Sequence, residues 1–241
     1  MTRNRQILAG VMLATAAAAA QADPWKGKGE AGAVWASGNT DSSSVNLKLS
    51  MSKVVDEWKH QLDMSYLHST SNGDTSANKF VGGWQSNYNF TASTFAFGAL
   101  RYEHDEFSGF NYQASASAGL GYKFFDTDTV KLSGQAGLGY RQIKDNVSGA
   151  TSSDLIVVAG LDYEYAITTT TKLLDKFHME AGSDNTLLTN FAGVEVKMSD
   201  KLALAAGYDV TYNTNPPDRP APLPAYKKTD TITTLNIVYS F

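Results

Sequence analysis

Three sets of residues in this chain have types and spacings that could do chemistry. Gly27-Lys28-Gly29-Glu30-Ala31-Gly32 fits G-x-G-x-x-G, whose backbone amides cradle a pyrophosphate when a strand precedes the glycines and a helix follows them. Here one alternating stretch contains them all, so they read as room for a neighbouring element or a bend in a strand. His60, His68, His104 and His178 could ligate a metal, but none forms an i, i+4 pair on a helix and the chain has no cysteine to join them. Neither a metal nor a cofactor is expected, and the histidines read as rim or lumen positions. The third set is charged residues that recur on one parity of alternating stretches: Lys48, Asp63, Lys79, Arg101, Glu103, Lys123, Lys131, Arg141, Asp162, Glu164, Lys176 and Glu180. Lys28, Glu30, Lys59, Glu195, Lys197, Asp209 and Asp230 share that pattern. Such a set could line a water-filled conduit or lock into a plug of ion pairs.

The elements that must position these charges are strands. Apolar and polar residues alternate in twelve stretches, 26–37, 42–53, 57–69, 77–90, 94–105, 111–124, 129–142, 154–167, 171–182, 186–198, 201–213 and 229–241. Short connections at 54–56, 91–93, 126–128, 168–170 and 199–200 alternate with mostly longer ones at 38–41, 70–76, 106–110, 143–153, 183–185 and 213–228. Short turns at one end and longer loops at the other, on an even number of strands, predict a transmembrane barrel with both termini in the periplasm. Tyr112 and Tyr122 share one face of the sixth stretch, with Ala114, Ala116, Ala118 and Leu120 between them. At about 3.3 Å per residue and a tilt near 40°, they stand roughly 25 Å apart along the membrane normal, the height of a lipid-facing band. A soluble sandwich would use shorter strands and would not sort its loops.

The two ends of the sequence carry the address. Arg3 and Arg5, the apolar run 7–20 and the small residues around Gln21 read as a signal peptide over 1–22, leaving a barrel over 23–241. The full chain has 20 Lys and Arg against 24 Asp and Glu; losing Arg3 and Arg5 leaves 18 against 24, a net charge of −6. That balance excludes nucleic acid as a partner on charge grounds. At the other end Leu235, Ile237, Tyr239 and Phe241 alternate to the last residue. A strand ending on a terminal aromatic resembles the closing strand of bacterial outer-membrane β-barrels, which implies that Tyr239 and Phe241 are the signal read by barrel assembly machinery.

Two features resist this pattern. Asp175 shares a parity with Leu173, Phe177 and Met179, which calls for a bulge or a later start of the ninth strand; Phe95 and Phe97 share one with Arg101 and Glu103, and the tenth stretch is similarly ambiguous. The segment 214–228 holds five of the six prolines, Pro216, Pro217, Pro220, Pro222 and Pro224, so it reads as a loop, either without special role or folded over the barrel mouth.

Trp25-x-Gly27-x-Gly29-Glu30-x-Gly32, Ser37-Gly38-Asn39-Thr40, Tyr212-Asn213 with Pro216-Pro217, Lys228-Thr229-Asp230-Thr231 and the closing Tyr239-Ser240-Phe241 together resemble the salt-induced outer-membrane protein family, a domain of unknown function. The resemblance spans the mature chain. It implies an outer-membrane β-barrel whose expression responds to salt or acid in some members, and brings no catalytic residues or ligand.

The expected fold is all-β: a monomeric, twelve-stranded antiparallel transmembrane β-barrel in a bacterial outer membrane, surrounded by outer-membrane lipids. The expected function is passive diffusion of small hydrophilic solutes or ions through a lumen of balanced charge. A closed structural envelope barrel is the alternative. A surface-acting lipid hydrolase is a third reading, because some twelve-stranded outer-membrane barrels are phospholipases; no G-x-S-x-G motif supports it.

Overall fold

A computed structural model describes residues 24–36, 42–219, 222 and 225–241. The signal peptide and the Gly38-Asn39-Thr40 turn lie outside the described residues. Twelve strands follow one another: β1 Lys26–Ala36, β2 Ser42–Val55, β3 Trp58–Ser71, β4 Asp74–Asn89, β5 Thr94–Asp105, β6 Phe110–Asp126, β7 Val130–Asp145, β8 Thr151–Ala166, β9 Thr171–Ala181, β10 Thr186–Lys197, β11 Leu202–Asn213 and β12 Thr229–Ser240. Each pairs antiparallel with its sequence neighbours, and β12 pairs with β1 to close the barrel. Closure leaves every strand a neighbour on both sides, which a backbone needs where lipid offers it no hydrogen bonds.

The alternation sorts side chains as lipid requires. Leu100, Leu120, Leu138, Leu155 and Leu235 point outward and are 60% to 81% exposed, an apolar band that only a non-aqueous surround tolerates. Aromatic belts bound this band. At the end with the short turns, Trp25 meets Trp84 with ring centroids 5.9 Å apart, Trp58 meets Tyr88 at 5.1 Å and Tyr122 meets Phe124 at 5.3 Å. At the opposite end Tyr102 lies between Phe80 and Tyr112, at 6.4 and 6.1 Å. These are the turn end and the loop end below.

Several expectations need correction. The loop drawn at 70–76 is a hairpin around Asn72 and Gly73, both with positive φ (51° and 89°), the conformation that an Asn-Gly pair supplies. β7 and β8 likewise run on to leave only 146–150 between them. The two ends therefore differ in loop length chiefly through 214–228. Strands that continue past the lipid band into water lose the apolar alternation that marks their limits.

Asp175 needs neither a bulge nor a later start. β9 begins at Thr171 and pairs without a register shift on both sides, and Asp175 keeps the outward face, where Asn190 Nδ2 donates to its Oδ1 at 3.1 Å. Phe95 and Phe97 point inward with Arg101 and Glu103, and they are buried over Gly121 and Gly119. In β10 both faces carry apolar side chains, Leu187 inward and buried and Val194 and Val196 outward and exposed. His60, His68 and His104 lie on the outward parity of their strands, and His178 on the inward one.

Candidate functional site: a lumen in two halves

The strand registers turn all twelve of the lumen charges named from the sequence inward: Lys48, Asp63, Lys79, Arg101, Glu103, Lys123, Lys131, Arg141, Asp162, Glu164, Lys176 and Glu180. They do not form one lining, and the balance of signs over the whole lumen conceals a division along its axis.

At the loop end charges interlock. Lys79 Nζ lies 2.8 Å from Glu103 Oε1 and 3.4 Å from Asp105 Oδ2, while Arg101 pairs with the other oxygen of Glu103. Arg141 Nη2 donates to Asp154 Oδ2 at 3.1 Å, and Arg141 Nη1 donates to the Glu180 carbonyl at 3.3 Å. Glu180 also accepts Ser115 Oγ at 2.8 Å and lies 3.2 Å from His178 Nε2. Register builds this cluster: Arg101 pairs with Ser115, Ser115 with Arg141, and Arg141 with Asp154 on successive strands. Arg141 has no exposed surface, and Glu103 and Glu180 are 3% and 2% exposed. Charges this deep persist only when paired and hydrogen-bonded.

One glycine makes the fit possible. A Cβ at Gly182 would stand 1.8 Å from Asp154 Oδ2 and 2.7 Å from Arg141 Nη2, so the backbone after β9 must pass there without a side chain. Loops then tie onto the cluster. The Asn185 carbonyl accepts from Arg141, Asn185 Nδ2 donates to Asn213 Oδ1 at 2.8 Å, and Asn185 Oδ1 accepts Asn215 N at 3.0 Å. Pro216, Pro217 and Asp218 thus lie at the mouth, where they help to line a cavity of about 360 Å³ with Phe110, Ile143 and Asp184.

Below the cluster, apolar side chains take inward positions. Phe95, Phe97, Ile156 and Val158 point inward and are buried. Some pairs reach past neighbouring strands, as Ser115 does to Glu180: Gln85 Nε2 donates to Gln135 Oε1 at 3.0 Å between β4 and β7, and Lys48 Nζ donates to Asp209 Oδ2 at 3.2 Å between β2 and β11. Lys48 also sits 4.5 Å over the Phe191 ring.

At the turn end the lumen is wet and basic. Lys131, Asp162 and Lys176 are exposed although they face inward. Lys28 pairs with Glu195 at 2.6 Å and Lys172 with Glu164 at 2.8 Å. Lys59, Lys131 and Lys176 have no ion pair among the described residues, and Lys123 reaches only Asp126, at 3.9 Å.

Sequence reasoning missed Asp105, Ser115, Asp154 and Gly182. Asp154 has the parity of Asp162 and was open to discovery; Ser115 and Gly182 carry no signal before their neighbours are known.

Among the described residues neither Ser-His neighbourhood forms a Ser-His-acid relay. Ser115 and His178 both bind Glu180, so the carboxylate separates hydroxyl from base. On the outside His60 Nδ1 lies 2.8 Å from Ser86 Oγ, beside Trp84 Nε1 at 3.0 Å. His60 stacks on Trp58, no carboxylate orients it among the described residues, and the neighbouring backbone amides lie in the sheet ladder rather than facing a substrate oxygen.

A closed antiparallel barrel with a lipid-facing band between aromatic belts is the build of a bacterial outer-membrane β-barrel. Within that class, the chain belongs to the family described as protein of unknown function DUF481, whose model matches residues 29–241. It is similar to the uncharacterized protein YdiY of Escherichia coli K12, at 26% identity over 217 residues, 90% of this chain and 83% of YdiY. Among solved structures, the NanC porin matches with a TM-score of 0.52 and 12% identity, over 90% of this chain and 98% of that one. The KdgM porin superposes more loosely, with a TM-score of 0.44 and 9% identity over 89% and 99% of the two chains. The likeness to NanC is one of fold.

Proposed function

We propose that this protein is an outer-membrane conduit for small hydrophilic solutes or ions, held closed at rest by the charged cluster at its loop end. The carrying observation is the division of the lumen. A barrel filled only for structure has no use for inward lysines without carboxylates, whereas a permanently open pore has no use for a fully buried arginine across its mouth. In this reading the turn end faces the periplasm and the loop end the exterior. Tyr239 and Phe241, outward on β12, serve the barrel assembly machinery, and the barrel works as a monomer. The resemblance to the salt-induced family adds a link to salt or acid stress, tested by protein abundance after a shift to high salt. In this reading the role is non-enzymatic, with the Glu180 carboxylate standing between Ser115 and His178.

The test is single-channel conductance of the refolded chain in a planar bilayer. The intact barrel should be silent or flicker rarely, and the double variant Arg101→Ser, Glu103→Ser should give discrete steps. Silence in both, with insertion verified by protease protection, would replace the conduit with a closed structural barrel.

A further inference from the structure

We propose that the turn half of the lumen binds a small soluble oxyanion carrying two or more negative charges, such as a pyrophosphate or a tricarboxylate. This deepens the conduit reading by naming a solute class, and rests on it only for passage across the membrane.

The site is built by register. Lys59 is the second residue of β3, Lys131 the second of β7, Lys123 lies three residues before the end of β6, and Lys176 stands further in on β9. All four face the lumen: Lys59 pairs with Asn87, Lys123 with Ser133, Lys131 with Glu164 and Lys176 with Asp162. The Lys59 ammonium lies within electrostatic reach of Lys123, Lys131, Lys176 and Asp162, so strands distant in sequence bring their charges together across the lumen.

The surrounding carboxylates are committed elsewhere. Glu195 holds Lys28, Glu164 holds Lys172, and Asp63 accepts Ser50 Oγ at 2.7 Å. Asp162, opposite Lys176 in register and within electrostatic reach of Lys59, has no ion pair among the described residues. Asp126, Lys123's distant partner, is 57% exposed at the turn and takes little from this excess. Like charges gathered inside low-dielectric walls concentrate a positive potential, and the exposure of Lys131 and Lys176 lets a counter-ion reach them.

Valence follows from geometry. Ammonium groups on β3, β6, β7 and β9 surround a space, so a chloride ion meets one or two of them while a multivalent oxyanion can bridge several. Lysine suits this as a mobile point charge with three donors. The Gln85–Gln135 crossbar lies further in along β4 and β7, so the anion enters and leaves from the turn end.

The experiment is calorimetric titration of inorganic pyrophosphate into the refolded mature barrel in detergent micelles, at low and at moderate salt. Saturable binding at one site is expected, weakening as salt rises, with chloride unable to compete at equal concentration. Lys59→Gln with Lys176→Gln should weaken it about tenfold or more, the loss of two charge-assisted contacts. Lys144→Gln, at the loop end, should leave it unchanged. As a second readout, pyrophosphate should slow modification of Lys59, Lys123, Lys131 and Lys176 by a soluble amine reagent in the native barrel. No saturable binding and no protection, or binding equally tight in a folded double variant, would overturn the proposal. Binding with every plug variant silent in the bilayer would retire the conduit and leave the site; conductance without binding would do the reverse.

Discussion

At the loop end Arg141 is fully buried and bonded to Asp154, Glu180 and Asn185, while at the turn end Lys176 faces the same lumen, exposed and without an ion pair among the described residues. Both are cations on inward positions of one barrel, on β7 and β9, with β8 between them. The difference is access to water. Where loops and inward rings exclude it, a charge survives only by finding its opposite. Where water enters, lysines need no partner, and their mutual repulsion is softened to about 1 kcal/mol per close pair. One half of the lumen is thus specified by pairing, the other by an excess of lysines over the carboxylates that could pair with them.

The largest contrast should come from deleting a cation in each half. Arg141→Met strands Asp154 and Glu180 without their shared partner and should destabilise the barrel by about 3 to 5 kcal/mol. Lys176→Met should leave the unfolding free energy within about 0.5 kcal/mol, both measured by urea unfolding in lipid. Equal losses would erase the distinction. A smaller effect is expected from Gly182→Ala, whose Cβ must push Asp154 away from Arg141 and should cost about 1 to 3 kcal/mol; an alanine outside the cluster, at Gly160, has only the flexible Gln135 side chain to displace, 3.2 Å away. Smaller still is the response to salt. Raising ionic strength to about 0.5 M should change stability by less than about 1 kcal/mol, because the loop-end pairs are shielded from ions, yet should alter the amine reactivity of Lys131 and Lys176. A collapse of stability in salt would mean that water reaches the loop-end cluster.

The barrel was readable because lipid imposes one rule on every strand: β5 runs 94–105 as the alternation had it, and β12 turns Leu235, Ile237, Tyr239 and Phe241 outward. Where lipid imposes nothing, reading failed. Asn72-Gly73 carries a hairpin signal, yet the flanking residues stand beyond the membrane and lack the apolar face that would have marked them as strand. Phe95 and Phe97 fill the lumen, and an inward aromatic looks the same in sequence as an outward one until register is known. The axial division was available but went unread. Lys59, Lys123 and Lys131 lie within a few residues of short turns, and Glu103, Asp105 and Arg141 near the other connections. Pooling them yields balance and loses the polarity. Asp154 meeting Arg141 through the space that Gly182 leaves needed coordinates.

The seam between β1 and β12 bears on time. β1 is laddered to β2 from Lys26–Ser52 to Ala36–Ser42, but to β12 only from Gly27–Phe241 to Ala31–Ile237. Above that, Asn236 reaches between the strands to Glu30 and Asn46, and a crevice of about 410 Å³ separates Gly32 and Val34 from Thr231 to Leu235. A ring joined by one short weld opens first at the weld. The lifetime of the closed circle is therefore set by these few rungs and not by the long hairpins around them, and amide exchange should spread outward from 32–36 and 229–235 while β6 and β7 still hold their hydrogens.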